Sequence, residues 1–173
     1  MIPAIEQFLA SHLDTWRSGS IRSFIRTKSI YRTHWALTML IYLDNCCFNR
    51  PYDDQSYEKI FLETQAKLYI QENILAGKYQ LVWSYILQFE NDANPYITHK
   101  HEIKKWKNQA SQLVSASEDI IVKAKEYQTF GLHVKDALHC ACAFSVKANY
   151  FITTDKQLIK STQKIAELNG DLY

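Results

Sequence analysis

The sequence LIYLDNCCFNRP, residues 40–51, begins with four consecutive apolar side chains and changes character at Asp44. A short uninterrupted apolar run is typical of a strand in a parallel sheet that is covered on both faces. An ionised carboxylate at the end of such a strand is costly unless it is paired. Ligands of open α/β sheets also gather at the carboxyl ends of the strands. Asp44 is therefore the first residue that we expect to hold a metal or to act in catalysis.

Working outward from this stretch, strand and helix patterns alternate along the chain. Two further short strands are predicted at residues 79–83 and 150–154. Helical spacing of apolar residues predicts helices in the segments 57–75, 84–95, 97–114, 118–129, 135–149 and from 156 onward. This alternation predicts a three-layer α/β/α fold with a central parallel sheet and right-handed crossovers.

The composition indicates one globular domain without a membrane segment. The 173 residues are 47% hydrophobic and include only 4 Gly and 3 Pro, which is unlike a disordered chain. No apolar run approaches the roughly 20 residues that span a bilayer. The four cysteines, at positions 46, 47, 140 and 142, lack the spacing of a disulfide framework. We therefore expect buried thiols and a cytoplasmic protein.

The charge is distributed unevenly, which divides the chain into two predicted segments. Residues 1–38 contain five basic and two acidic residues, whereas residues 39–173 contain 15 basic and 16 acidic residues. The larger segment is thus not a generally basic nucleic-acid binder, and any polyanion site must be local or use bound cations. Residues 1–38 form either a basic helical extension or a stretch upstream of a natural start at Met39. The second interpretation is favoured because the predicted core needs nothing before residue 39.

Four acidic residues are predicted to meet at one edge of the sheet. Asp44 and Asp155 each end a strand, Glu90 lies two turns into the helix after the second strand, and Asp136 lies in the first turn of a helix. Carboxylates brought together repel one another unless cations neutralise them. Mg²⁺ prefers oxygen ligands and is typically bound by a few carboxylates and substrate phosphates. The sequence therefore predicts a divalent metal site that can act on a phosphodiester.

The segments around these carboxylates resemble the PIN domain, and more narrowly the toxin ribonucleases of VapBC-type toxin–antitoxin pairs. The resemblance covers about residues 40–160 and rests on YLD at 42–44, Glu90, KDALH at 135–139 and FITTD at 151–155. It implies a Mg²⁺- or Mn²⁺-dependent endoribonuclease that cleaves single-stranded RNA, forms a homodimer and is inhibited by a cognate antitoxin. It also implies that the metal-binding and catalytic set is Asp44, Glu90, Asp136 and Asp155.

Several nearby residues have less specific assignments. By the family's pattern Thr154 supports the site through its hydroxyl, while Asn45 and Arg50 are expected to touch substrate or the site because of their proximity to Asp44. His139 lies one turn after Asp136 and is interpreted as a packing residue rather than a ligand. The lysines between residues 100 and 107 contact RNA phosphates, contact the antitoxin or form a solvated helix face, and the last interpretation is favoured.

Two other functions are compatible with the same residues. A non-catalytic module that binds RNA or protein could retain the fold without turnover. An aspartyl-phosphate phosphotransferase is disfavoured, because such a site needs a second carboxylate two residues after the nucleophile and Cys46 occupies that position.

Overall fold

The computed structural model of the protein describes residues 39–169 and contains one parallel sheet. Its strands, in chain order, are β1 (Met39–Leu43), β2 (Tyr79–Ser84), β3 (Ala110–Val114) and β4 (Tyr150–Ile152). They lie in the order β3-β2-β1-β4, and every pairing is parallel. The predicted segment 1–38, with its proposed boundary at Met39, and residues 170–173 lie outside the described residues.

Seven α-helices connect and cover these strands within residues 39–169. They are α1 (Asn45–Asn49), α2 (Glu58–Leu75), α3 (Tyr85–Asp92), α4 (Ile97–Lys105), α5 (Glu118–Thr129), α6 (Val134–Ser145) and α7 (Lys156–Asn169). Short 3₁₀ helices follow α1 at Arg50–Tyr52 and α4 at Trp106–Gln109. None of the helices in this part of the chain is long and apolar enough to cross a membrane.

The central strand β1 is buried on both faces, as the apolar run predicts. Leu40 and Tyr42 contribute to a core shared with α5 and α6. Ile41 and Leu43 point to the opposite core, which α1, α2 and α4 cover. Side chains alternate along a strand, so one apolar run supplies both cores. The predicted three-layer α/β/α fold is confirmed.

The edge strand β3 corrects the predicted helix over residues 97–114. The helix ends at Lys105, and Ala110–Val114 pair instead with β2 through an irregularity between Leu81 and Val82. Only Val114 is buried in β3, while Leu113 is 63% exposed. An edge strand with one buried side chain lacks the apolar run that revealed the other strands. Its conformation depends on pairing with β2, which the local sequence does not encode.

The helix boundaries near the sheet edge follow local chemistry. The Ser84 hydroxyl accepts a hydrogen bond from the Leu87 backbone N–H at 3.2 Å and thereby caps α3. α2 ends just before Gly77, whose φ of 72° is unfavourable for other residues. Because all four strands are parallel, the chain leaves β1, β2 and β4 at the same edge of the sheet. This edge contains the side chains described next.

Candidate metal centre

Asp44, Glu90 and His139 form a compact group at the carboxyl edge of the sheet. One ligand atom from each lies within 4.8 Å of the others. His139 Nε2 is 2.9 Å from Glu90 Oε2 and 3.6 Å from Asp44 Oδ1. Two carboxylates and an imidazole at these distances could hold a metal ion. We call these three residues the DEH cluster.

The position of Asp44 is fixed by donors to both carboxylate oxygens. Oδ1 accepts a hydrogen bond of 2.6 Å from the Asn45 backbone N–H, and Oδ2 accepts one of 2.8 Å from the Thr153 hydroxyl. The Cys46 thiol also lies 3.1 Å from Oδ2. These contacts explain how Asp44 can be 7% exposed without an ion pair to Lys or Arg among the described residues. They also hold the Asp44 carboxylate in one orientation, as the coordination of a metal ion requires.

Glu90 enters the DEH cluster from α3, where its side chain is 16% exposed. Its other oxygen, Oε1, lies 3.4 Å from the Lys135 ammonium group. Burial favours a higher pKa for Glu90, but the interactions with His139 and with the Lys135 ammonium group lower its pKa below the usual value. Glu90 is therefore ionised near neutral pH and available to a cation.

His139 links the DEH cluster to the interior of the sheet. It is 1% exposed, and its Nδ1 lies 2.7 Å from the Tyr42 hydroxyl, which in turn lies 2.5 Å from the Ser84 hydroxyl. Burial raises the pKa of Tyr42 well above its usual value, so this phenol stays protonated and acts only through hydrogen bonds. The Tyr42 contact fixes the imidazole ring, and Nε2 is directed at the two carboxylates.

The two remaining acidic residues of the predicted set lie beside the DEH cluster. Burial, together with the negative charges of Asp155 and Asp44, raises the pKa of Asp136. The Asp136 carboxyl is therefore near enough to Asp155 and Asp44 for their charges to affect its pKa. Asp155 is exposed and caps α7, because its Oδ1 accepts hydrogen bonds from the backbone N–H groups of Gln157 and Leu158. The structure thus brings Asp44 and Glu90 into one group and places Asp136 and Asp155 at its margin.

The residues expected to support the site occupy different positions. The hydroxyl that contacts Asp44 belongs to Thr153, whereas buried Thr154 Oγ1 has no hydrogen-bond partner among residues 39–169. Asn45 contacts Asp44 through its backbone N–H. Arg50 points away, since its guanidinium group pairs with Glu63 at 2.9 Å and with Asp53 at 2.8 Å.

His139 is the residue of this centre that the sequence interpretation assigned to packing alone. It is indeed buried, but it also faces both carboxylates. A signal is present in the sequence, because residues three apart share a helix face and Asp136 was already predicted to face the sheet edge. A polar ring among the small residues of ALHCACA was a second indication.

Comparison with known proteins identifies no family for this chain: no family model matches it, and no curated protein matches it either. The resemblance to PIN domains therefore stays a prediction from the residues. The fold and the DEH cluster provide the physical basis for the functional argument.

Proposed function

We propose that the protein is a metal-dependent endoribonuclease, with the DEH cluster as its reactive centre. The observation that carries the proposal is the meeting of Asp44 and Glu90, from two different chain segments, at the carboxyl edge of a parallel sheet. This edge is where open α/β folds place their ligand sites. The raised pKa of Asp136, caused by burial and by Asp155 and Asp44, supports it further. A divalent cation would relieve this repulsion.

Within this proposal, Asp44 and Glu90 bind the cation, and Asp136 contributes charge from the margin. Mg²⁺ or Mn²⁺ bound there would neutralise a phosphodiester and activate a water for its hydrolysis. Thr153 and Asn45 hold the Asp44 carboxylate in place. Imidazole nitrogen suits transition metals better than it suits Mg²⁺. The presence of His139 therefore favours Mn²⁺ as the better activator of the pair.

We further propose a toxin role, with a homodimer and a cognate antitoxin as partners. Support comes from α2 and the residue before it, where several large apolar side chains remain 40–63% exposed. They are Tyr57, Phe61, Leu62, Leu68 and Leu75. Exposed apolar groups on one element are typical of a protein-binding surface. The molar mass of the protein in solution, alone and with the product of a neighbouring short gene, tests this part.

Cleavage of RNA should depend on an added divalent cation. Purified protein is incubated with a single-stranded and a fully paired RNA in Mg²⁺, in Mn²⁺ and in EDTA. We expect cleavage of the single strand with either cation, faster in Mn²⁺, and none in EDTA. Adding back excess Mn²⁺ should restore the rate. Cleavage that continues in EDTA at the same rate rules the proposed mechanism out.

A non-catalytic RNA- or protein-binding module is the second candidate. It is favoured by one observation: Glu90 is already paired with His139 and Lys135, so the DEH cluster is partly neutralised by its own residues. This alternative expects RNA or partner binding that is insensitive to EDTA and no cleavage in any cation. The same incubation therefore separates the two functions.

Replacing Tyr42 with phenylalanine should reduce cleavage without unfolding the protein. The change removes the hydroxyl that fixes His139 Nδ1 and leaves the ring packing in place. Loss of a group that orients a metal-site histidine typically costs about 10- to 100-fold in affinity or activity. Initial cleavage rates as a function of Mn²⁺ concentration measure this effect.

Tyr85→Phe is the matched control for this substitution. Tyr85 packs against the same core but has no hydrogen bond to the DEH cluster. We expect it to retain the wild-type rate and Mn²⁺ dependence. Equal rates for Tyr42→Phe and wild type would show that the Tyr42 contact does not organise the centre.

A further inference from the structure

We propose that three aromatic side chains near α4, Tyr52, His99 and Tyr96, form a subsite that stacks the bases of single-stranded RNA next to the DEH cluster. This inference rests on the proposed function, because it assigns the binding site of the RNA that the cluster acts on. We call these three residues the ring cluster. No part of the predicted catalytic set belongs to it.

The ring cluster is preassembled and accessible. The Tyr52 and His99 rings are stacked, with centroids 3.8 Å apart and an angle of 9° between their planes. The Tyr96 ring is tilted by 37° to His99 at a centroid distance of 4.9 Å. Tyr52 is 42% exposed and Tyr96 is 64% exposed. Rings held by one another and open to solvent offer stacking surface without further loss of side-chain freedom.

Hydrogen-bonded asparagines connect the DEH cluster to the ring cluster. The Asn45 backbone N–H contacts Asp44, and the Asn49 side-chain amide donates to the Asn45 backbone carbonyl at 3.0 Å. Asn94 donates to Asn49 Oδ1 at 3.0 Å, and Asn94 Oδ1 accepts from the Tyr96 backbone N–H at 3.0 Å. The two clusters are therefore held in a fixed relation, as one strand bound to both requires.

A surface groove rich in lysine lies at the C-terminal end of α4, the helix that also contains His99. Burial and the charge of Glu102 raise the pKa of Tyr52, while Lys105 opposes the shift, so Tyr52 lies close to both residues. Lys105 also lines this groove, whose other walls are His101, Lys104, Lys107 and Asn108. Cationic side chains beside stacking rings are the combination by which proteins bind single strands without reading their sequence. Residues 39–173, which contain nearly equal numbers of basic and acidic residues, thus include a local site for a polyanion.

Single-stranded RNA fits this surface better than a protein partner does. The surface combines exposed ring faces, side-chain amides and a groove rich in lysine, and hydrogen-bonded asparagines connect it to the DEH cluster. A protein partner is better matched by the apolar side chains exposed along α2, which lie outside the groove rich in lysine. Paired RNA has no free base faces for the rings. The ring cluster should therefore discriminate between single and double strands.

The test measures RNA binding separately from cleavage. Fluorescence anisotropy follows a labelled single strand of about ten nucleotides, within the usual site size of such grooves, in Ca²⁺ and on an Asp44→Asn background. We expect Tyr96→Ala to weaken binding about tenfold and Tyr52→Ala/Tyr96→Ala to weaken it about 10²-fold, as the loss of stacked bases predicts. Tyr96→Phe should bind like the parent protein.

Phe144→Ala is the matched control, since the Phe144 ring is 51% exposed and lies outside the ring cluster. It should leave affinity unchanged, and thermal unfolding of each variant confirms that it is folded. Equal affinity of the double variant and Phe144→Ala overturns the proposal, as does equal loss for single-stranded and paired RNA. Loss of binding to a copurified protein partner, with RNA affinity intact, also overturns it. If the ring variants lose RNA affinity while the wild-type protein cleaves nothing, the subsite stands and the nuclease proposal fails.

Discussion

Replacing Asp44 with asparagine is expected to eliminate metal-dependent RNA cleavage. The loss should exceed the roughly 10- to 100-fold typical of residues that only support a ligand. Asparagine keeps the size of the side chain but removes the negative charge that attracts the cation. It also replaces one acceptor oxygen with an NH₂ group, whereas Asp44 accepts hydrogen bonds from Asn45 and Thr153 on different oxygens. Initial cleavage rates and calorimetric titration with Mn²⁺ measure the two parts of the effect.

The same substitution has two opposing effects on the metal-free protein, because it removes one accepted hydrogen bond at Asp44 and also relieves repulsion between carboxylates. The negative charges of Asp155 and Asp44 add to burial in raising the pKa of Asp136. Removing the Asp44 charge reduces this repulsion, so the pKa of Asp136 should decrease. Because these effects oppose one another, Tm in EDTA should stay close to that of the wild type, whereas the increase in Tm that Mn²⁺ gives the wild type should disappear, because binding to the folded state is lost. Carboxyl NMR titration and thermal unfolding test these expectations.

Asp92→Asn is the control for the loss of a carboxylate near Glu90. Asp92 lies at the end of α3 with a half-exposed side chain, and it pairs with Lys100 at 3.6 Å. Exposed pairs of this kind contribute about 0–1 kcal/mol, and this one lies outside the DEH cluster. We expect wild-type cleavage and Mn²⁺ binding. If Asp44→Asn behaves like Asp92→Asn, the DEH cluster is not the reactive centre.

The sequence predicted the interior of the fold better than its edge. β1 was predictable because its consecutive apolar side chains are buried in the two hydrophobic cores on either side of the sheet. Asp44 was recognisable as a candidate site residue because it places a charged group directly after this apolar run. β3 was missed because four of its five side chains are not buried and its conformation depends on pairing with β2. Propensity is a weak guide where long-range pairing decides the conformation.

The candidate site was predictable as a set of positions but not as a set of contacts. Strand ends and first helix turns meet at one edge in a parallel sheet, so Asp44, Asp136 and Asp155 could be grouped from topology alone. Their individual roles depend on distances of a few ångströms. The hydroxyl that contacts Asp44 belongs to Thr153 rather than to Thr154. His139 is part of the DEH cluster because its contact with the Tyr42 hydroxyl fixes the orientation of its ring. Such contacts depend on the relative positions of packed elements, which periodicity does not specify.

Replacing Lys67 with methionine is expected to stabilise the protein at neutral pH. Lys67 is 8% exposed on α2, and no described ion pair includes it. Its ammonium group lies 5.9 Å from the centre of the Phe48 ring. Burial lowers the pKa of Lys67 from 10.5 to about 8. A decrease of this size corresponds to roughly 3 kcal/mol of unfavourable charge burial, which methionine avoids at a similar volume.

The gain should depend on pH in a defined direction. Below about pH 8, Lys67 is protonated in both the folded and the unfolded state, and the folded state carries the full cost of the buried charge. Between about 8 and 10.5 the folded state has lost this proton while the unfolded state retains it, so the stability of the wild type rises with pH. The difference in the free energy of unfolding between Lys67→Met and wild type should therefore be largest near pH 7 and should shrink as pH rises through this window.

Lys59→Met separates this effect from the general loss of a positive charge on α2. The Lys59 side chain is 55% exposed and lies 3.4 Å from Glu63. Surface changes of this kind typically alter stability by about 0.5 kcal/mol or less, and the stability of Lys59→Met should follow that of the wild type as pH rises, because this variant retains Lys67. Urea unfolding of the three proteins across this pH range provides the comparison. If Lys67→Met and Lys59→Met change stability equally at pH 7, the Lys67 ammonium is solvated in the folded protein and its burial is not a source of instability.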